Sequence, residues 1–215
     1  MFHKIYFSEG KITQQGKKYK HMANLEQIKN IREKTGAGVV DVKKALDEAN
    51  GDESKAIEIL RKKGQEKANK KSERTAKEGI VAAYIHSNNK VGALIELFCE
   101  TDFVALNEDF KALARDIAMH VTASNPKYLK PEDVPQDLVE KEKEIWTAQL
   151  QNEGKPEKMF EKILEGKEKK FREELALFSQ PFVKNPEITV KVLLEENVGK
   201  IGENIQIGRF SRFEL

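Results

Sequence analysis

Two stretches of this chain carry side chains whose types and spacing could do chemistry. In Cys99–Val121 a lone cysteine ends an apolar run, the pair Asp102-Phe103 follows, and His120 lies near the end of a helical pattern. A cysteine with a histidine is the minimum set for thiolate chemistry, with His120 as base. A cysteine beside Phe98 at the end of an apolar run is more often a small buried hydrophobe, and that reading is adopted. The second stretch is 61–78, RKKGQEKANKKSERTAKE, dense in Lys and Arg. Such a run invites an RNA reading. It holds no aromatic to stack a base, however, and its helix would be solvated all round, so a basic linker is expected.

The remaining chemistry is sparse. His3, His21, His86 and His120 are scattered, and His86 is expected at a strand end facing solvent. No glycine-rich phosphate loop, dinucleotide fingerprint or paired-histidine zinc spacing occurs. The carboxylates fall in helical charge patterns. A chain without these sets is expected to be no enzyme, with no catalytic residue, cofactor or metal, and to work by binding. Its 38 basic residues against 36 acidic leave a formal charge of +2, which gives no footprint for nucleic acid. A single cysteine excludes an internal disulfide and suits a reducing cytoplasm. No apolar run approaches the ~20 residues that span a bilayer, so no membrane partner is expected.

Around Asp102-Phe103 the local signals are specific. Asn107 is an N-cap candidate, and Glu108 and Asp109 favour the positive end of the helix dipole. Phe110, Leu113, Ala114, Ile117 and Val121 then recur at helical spacing. Phe103, just before that cap, either tucks back as a staple or is offered to a partner. Taken alone, the residues favour the staple.

The elements that position this segment follow from the rest of the chain. Residues 1–21 are set aside as a disordered leader or an extension ahead of a second candidate start, Met22. Residues 22–64 read as a three-helix module. Leu25, Ile28 and Ile31 mark its first helix, broken by TGAG at 35–38, and Val42, Ala45, Leu46 and Ala49 mark its second. Asp52 caps a third, bearing Ala56, Ile57 and Leu60. Val39 and Val40, just past the glycine turn, are either buried at the helix junction or form a contact patch, with burial the default. After the linker at 65–78, a core is expected over 79–215. Its runs Gly79–Ser87 and Val91–Glu100 form a hairpin around Asn88-Asn89-Lys90. Charged helices at 136–152 and 156–178 should pack through Ile145, Trp146, Leu150, Met159, Phe160, Ile163, Leu164 and Phe171. Gln180–Val183 reads as a turn, Thr189–Glu196 as a short helix, and Glu203–Leu215 as a third strand. The fold class is α+β: a three-helix module, a helical linker, and a small three-stranded antiparallel sheet packed with helices.

Several runs resemble bacterial elongation factor Ts, the nucleotide exchange factor of the GTPase elongation factor Tu, in its short form with a single core subdomain. They are LEQIKNIREKTGAGVVDVKKALDEANGD (25–52), TDFVALNEDF (101–110), IAMHVTASNPKYLKPEDV (117–134), QPFVKNPEITV and KIGENIQIGRFSRFEL. The resemblance implies a ubiquitin-associated-like N-terminal module and overturns the staple reading of Phe103. It makes Thr101, Asp102, Phe103, Val104 and Asn107 the segment that intrudes near the GTPase's magnesium site. It places Met119 and His120 on the phosphate-loop side. His120 sits on the shoulder of the apolar stripe and reads equally well as a structural histidine. It gives Val39 and Val40, with Arg32 and Lys43, the grip of the N-terminal module, although members often carry Met at the valine positions. Gly208 stands before Arg209 where members often have two arginines. The implied partner is elongation factor Tu. A homodimer through the core sheet is also expected, because an open three-stranded sheet leaves edges and a face to cover. The alternative is a binding scaffold that uses the N-terminal module without exchanging nucleotide.

Overall fold

Capping residues decide where the first helices begin and end. The computed structural model describes residues 24–215, and the leader assigned to 1–21 lies outside the described residues. α1 (Leu25–Thr35) starts at Asn24, whose side chain accepts the Glu26 N–H at 3.2 Å. It ends at Gly36, whose φ of 66° is left-handed. α2 (Val39–Glu48) follows, then Asn50-Gly51, both at positive φ, and α3 (Glu53–Lys71), where Asp52 accepts the Lys55 N–H at 3.1 Å. Ile28, Ile31, Val42, Ala45, Leu46 and Ala56 close a small core. This compact unit ends at Lys62, and a second runs Lys63–Leu215.

α3 does not stop at Gly64, where the sequence reading ended the third helix. A glycine costs a helix only about 1 kcal/mol, and Gln65–Lys71 are good helix formers. The linker expected to be helical is helix as far as Lys71, continuous with α3, but it is not solvated all round: Ala68 is buried in the core of the second unit.

That core is organised on a hairpin. β1 (Glu78–Ile85) and β2 (Val91–Cys99) pair antiparallel from Glu78↔Cys99 to Ile85↔Gly92. The chain then passes through α4 (Asp102–Ala105) into α5 (Glu108–Ser124). Alternation sends Ala93, Ile95, Leu97 and Cys99 inward, against Phe110, Leu113, Ala114, Ile117 and Val121 of α5. His86 follows β1 and is exposed, as expected.

α6 (Gln136–Asn152) and α7 (Phe160–Leu175) form a charged helical pair. Trp146 meets Phe171 edge-on at 5.6 Å, but Ile145 and Met159 of the expected stripes face solvent. Short 3-10 turns flank α7, so the expected helix 156–178 is shorter than read. Gln180–Val183 is more than a turn: β3 (Pro181–Phe182) pairs with β4 (Asn185–Thr189) in a second, two-stranded sheet. α8 (Val190–Ile201) is longer than expected, running past Gly199 and capped by Gly202, whose φ is 91°. Last, β5 (Gln206–Glu214) pairs with β2, giving the order β1-β2-β5. The expected three-stranded antiparallel sheet packed with helices is present. Among the described residues no helix is long and apolar enough to cross a membrane.

Candidate functional site

The site is built where β2 hands over to α5. Thr101 caps α4: its hydroxyl oxygen accepts the Val104 N–H at 3.4 Å, and the Asp102 carboxylate accepts the Phe103 N–H at 2.8 Å. Asn107 caps α5 by accepting the Asp109 N–H at 2.7 Å. Val104 and Ala105 point into the core, while Phe103 is 78 % exposed and Leu106 70 % exposed. One helical turn thus has a buried face that anchors it and an apolar face turned to solvent.

A staple would bury Phe103 against the first turn of α5. The structure does not do this, so the staple reading is corrected. Leu106, one helical turn after Phe103, was missed by the sequence reading; an isolated leucine before a cap gives no signal of its own. Beneath the turn, Glu203 accepts the Thr101 hydroxyl at 2.7 Å and the backbone N–H of Glu100 and Thr101 at 3.0 and 3.1 Å. Sequence reasoning could not find this contact, because the partners lie about a hundred residues apart and a lone glutamate before a strand is unremarked.

Met119 is half-buried, and His120 is fully buried. The His120 Nδ1 accepts the Val183 N–H at 3.2 Å, which leaves Nε2 as the donor to Gln180 Oε1 at 3.0 Å. Gln180 in turn donates to the Glu174 carbonyl at 2.7 Å. Every polar atom of the ring is used, and burial pushes its pKa below the ordinary value, against a smaller opposing effect of the Gln180 hydrogen bond. The outward reach suggested by the helix projection is therefore not what the structure has. His120 ties α5 to the β3–β4 hairpin, as does the Asp116–Lys184 ion pair at 2.6 Å.

Cys99 is buried and its thiol donates to the Thr101 carbonyl at 3.1 Å. Burial first, then the nearby charge of Glu203, pushes its pKa up to about 11. A thiol so held carries no thiolate at neutral pH, and His120 is engaged elsewhere, so the nucleophile reading loses its support. Among the described residues no cluster of three His, Cys, Asp or Glu could hold a metal ion.

In the N-terminal unit Val39 and Val40 are 48 % and 65 % exposed at the start of α2, and Arg32 and Lys43 are exposed as well. The default of burial is corrected. The helix start turns both side chains outward, while Val42, Ala45 and Leu46 make the core. Near the chain's end, a Cβ on Gly208 would lie 2.5 Å from the Phe98 ring and 2.9 Å from Glu96 Oε2. That carboxylate is held by the Arg209 side chain and by its N–H at 3.0 Å. Any side chain at 208 would have to displace both neighbours.

A family model described as Elongation factor TS matches residues 18–215. An elongation factor Ts of Carboxydothermus hydrogenoformans is 57 % identical over 194 residues, covering 90 % of this chain and 89 % of that protein. One of Acetivibrio thermocellus is 55 % identical over 193 residues, 90 % of each chain. One of Thermodesulfovibrio yellowstonii is 54 % identical over 190 residues, 88 % of this chain and 94 % of the relative.

Proposed function

The chain belongs to the elongation factor Ts family, and on that premise we propose that it is a cytoplasmic translation factor that exchanges guanine nucleotide on elongation factor Tu. The observation that carries this reading is Phe103, exposed on a single helical turn whose other face is anchored in the core. The Asp102-Phe103 turn enters the GTPase beside its magnesium site and spoils the geometry that holds metal and GDP. No bond is made or broken; the protein acts by binding alone.

The coupling is thermodynamic and reciprocal: if the factor weakens GDP–Mg²⁺, GDP–Mg²⁺ weakens the factor to the same degree. Each tenfold change in affinity is about 1.4 kcal/mol. Burying one phenylalanine is worth about 1.5–3 kcal/mol, so Phe103 supplies one to two factors of ten. Lost metal geometry and the contact through Leu106 add to it. Val39 and Val40, flanked by Arg32 and Lys43, hold the nucleotide domain and set how tightly the factor docks. His120 and Met119 support the phosphate-loop side from within the core. The test follows release of a fluorescent GDP analogue from elongation factor Tu, chased with excess unlabelled nucleotide, with and without this chain. Acceleration is expected. Binding to the GTPase without acceleration would leave only the scaffold and overturn exchange.

The sheet supports a second partner, another copy of this chain. The face of β1-β2-β5 turned away from α5 presents Val81, Ile85, Leu94 and Phe213 to solvent. Ile85, Gly92 and Phe213 lie side by side across the three strands. A groove of about 470 Å³ runs along this apolar surface. Two chains pair by stacking these faces about a two-fold axis.

A further inference from the structure

A single helical turn makes too few hydrogen bonds to fix its own orientation. Val104 and Ala105 anchor the buried face of α4 in the core, and its aim depends as well on whatever holds its base. Besides the Cys99 thiol on the Thr101 carbonyl, that base is held by one side chain from the far end of the sequence. Glu203 lies just past Gly202, where α8 ends, and its carboxylate accepts three hydrogen bonds from the β2–α4 junction. Two come from the backbone N–H groups of Glu100 and Thr101. The third comes from the Thr101 hydroxyl, which spends its proton on Glu203 and so turns a lone pair toward the Val104 N–H that opens α4.

The tie runs both ways. The Glu100 carboxylate accepts the Asn204 N–H at 2.6 Å, so each loop's glutamate caps the other loop's backbone. Asn204 is buried and donates onward to the Arg74 carbonyl at 2.6 Å, and the Arg74 guanidinium lies 3.6 Å from Glu100. Bonds from backbone N–H to a carboxylate are about twice as strong as neutral ones. Phe103 is largely exposed, so its direction is inherited from the turn that carries it, set by the buried Val104 and Ala105 and by this clamp.

We propose that Glu203 is a positioning residue for the exchange segment: it touches neither nucleotide nor metal, and it acts through Thr101 and α4 to aim Phe103. The proposal rests on the exchange reading given above. Pre-organisation matters here because a turn that must be ordered during docking spends binding energy that would otherwise destabilise GDP.

The experiment uses four full-length proteins: wild type, Glu203→Ala, Phe103→Ala and the double variant. The readout is the maximal rate of fluorescent GDP release from elongation factor Tu at saturating factor. Glu203→Ala is expected to lower that maximum roughly tenfold to a hundredfold, as misplacement of about 1 Å does at a reacting site. The double variant is expected to be no slower than Phe103→Ala alone, because Glu203 works only through that ring. Effects that multiply, or an unchanged maximum in Glu203→Ala when Phe103→Ala is slow, would overturn the proposal. A Phe103→Ala protein with undiminished release would instead overturn the exchange reading itself. Should Glu203→Ala not fold, Glu203→Gln, which weakens the acceptor without emptying the site, replaces it in the same four-protein comparison: a lowered maximum that is absent on the Phe103→Ala background is expected, and an unchanged maximum would overturn the proposal.

Discussion

His120 and Phe103 exchange the roles that a first reading gives them. The histidine, a natural candidate to reach a phosphate, is sealed in the core with both nitrogens bonded. The phenylalanine, a natural core residue, stands in solvent. Protonating Nδ1 would cost His120 its bond from the Val183 N–H, as well as placing a charge in the core. The folded protein therefore binds that proton less readily than the unfolded chain, whose imidazole titrates near 6.5. The contribution is present in full above that value and falls as pH drops below it toward the lower folded value. Glu96 and Glu168 are held below the ordinary 4.5, by Arg209 and by Lys143 with Arg172, so their contributions fade only at more acid pH. Urea unfolding between about pH 7 and about pH 5 should thus show wild type losing stability while His120→Gln changes little. Parallel slopes for the two proteins would contradict this assignment.

At the scale of elements, what the sequence disclosed is what repeats or punctuates. The β1–β2 hairpin was legible from two apolar runs around Asn-Asn-Lys, α5 from its cap and period, and β5 from its mixed apolar and charged alternation. What it hid depends on partners distant in the chain. β3 is two residues long and exists because the hairpin it forms is tied to α5 through His120 and Lys184. α3 passes Gly64 because Ala68 beyond it is buried, and an alanine among lysines carries no periodic signal. The clamp of Glu203 on Thr101 joins loops that no local pattern connects. A Cβ at Gly64 would meet nothing within 4 Å. Gly64→Ala should therefore stabilise the protein by about 0.5–1 kcal/mol through helix propensity and raise Tm by about 2–4 °C. A lower Tm would mean that the glycine is needed for close approach at this site.

At the scale of the whole molecule, grouped apolar side chains among the described residues stand in solvent at Val39 and Val40, at Phe103 with Leu106, and on the outer face of the sheet. In the function proposed above, the first two serve the GTPase and the third a second copy of the chain. A charge on the third should separate the copies and leave the others intact. Light scattering at micromolar concentration is expected to give twice the chain mass for wild type and the single mass for Phe213→Glu; a monomeric wild type would remove the dimer.

The central claim is that one exposed ring, aimed by a clamped turn, drives nucleotide out of the GTPase. The most direct measurement compares the GDP release rate from elongation factor Tu at saturating wild type with that at saturating Phe103→Ala. The account predicts that the variant still docks through its N-terminal unit but releases GDP roughly ten to a hundred times more slowly, in keeping with the burial of one phenylalanine. Equal maximal rates from two folded, docked proteins would contradict it.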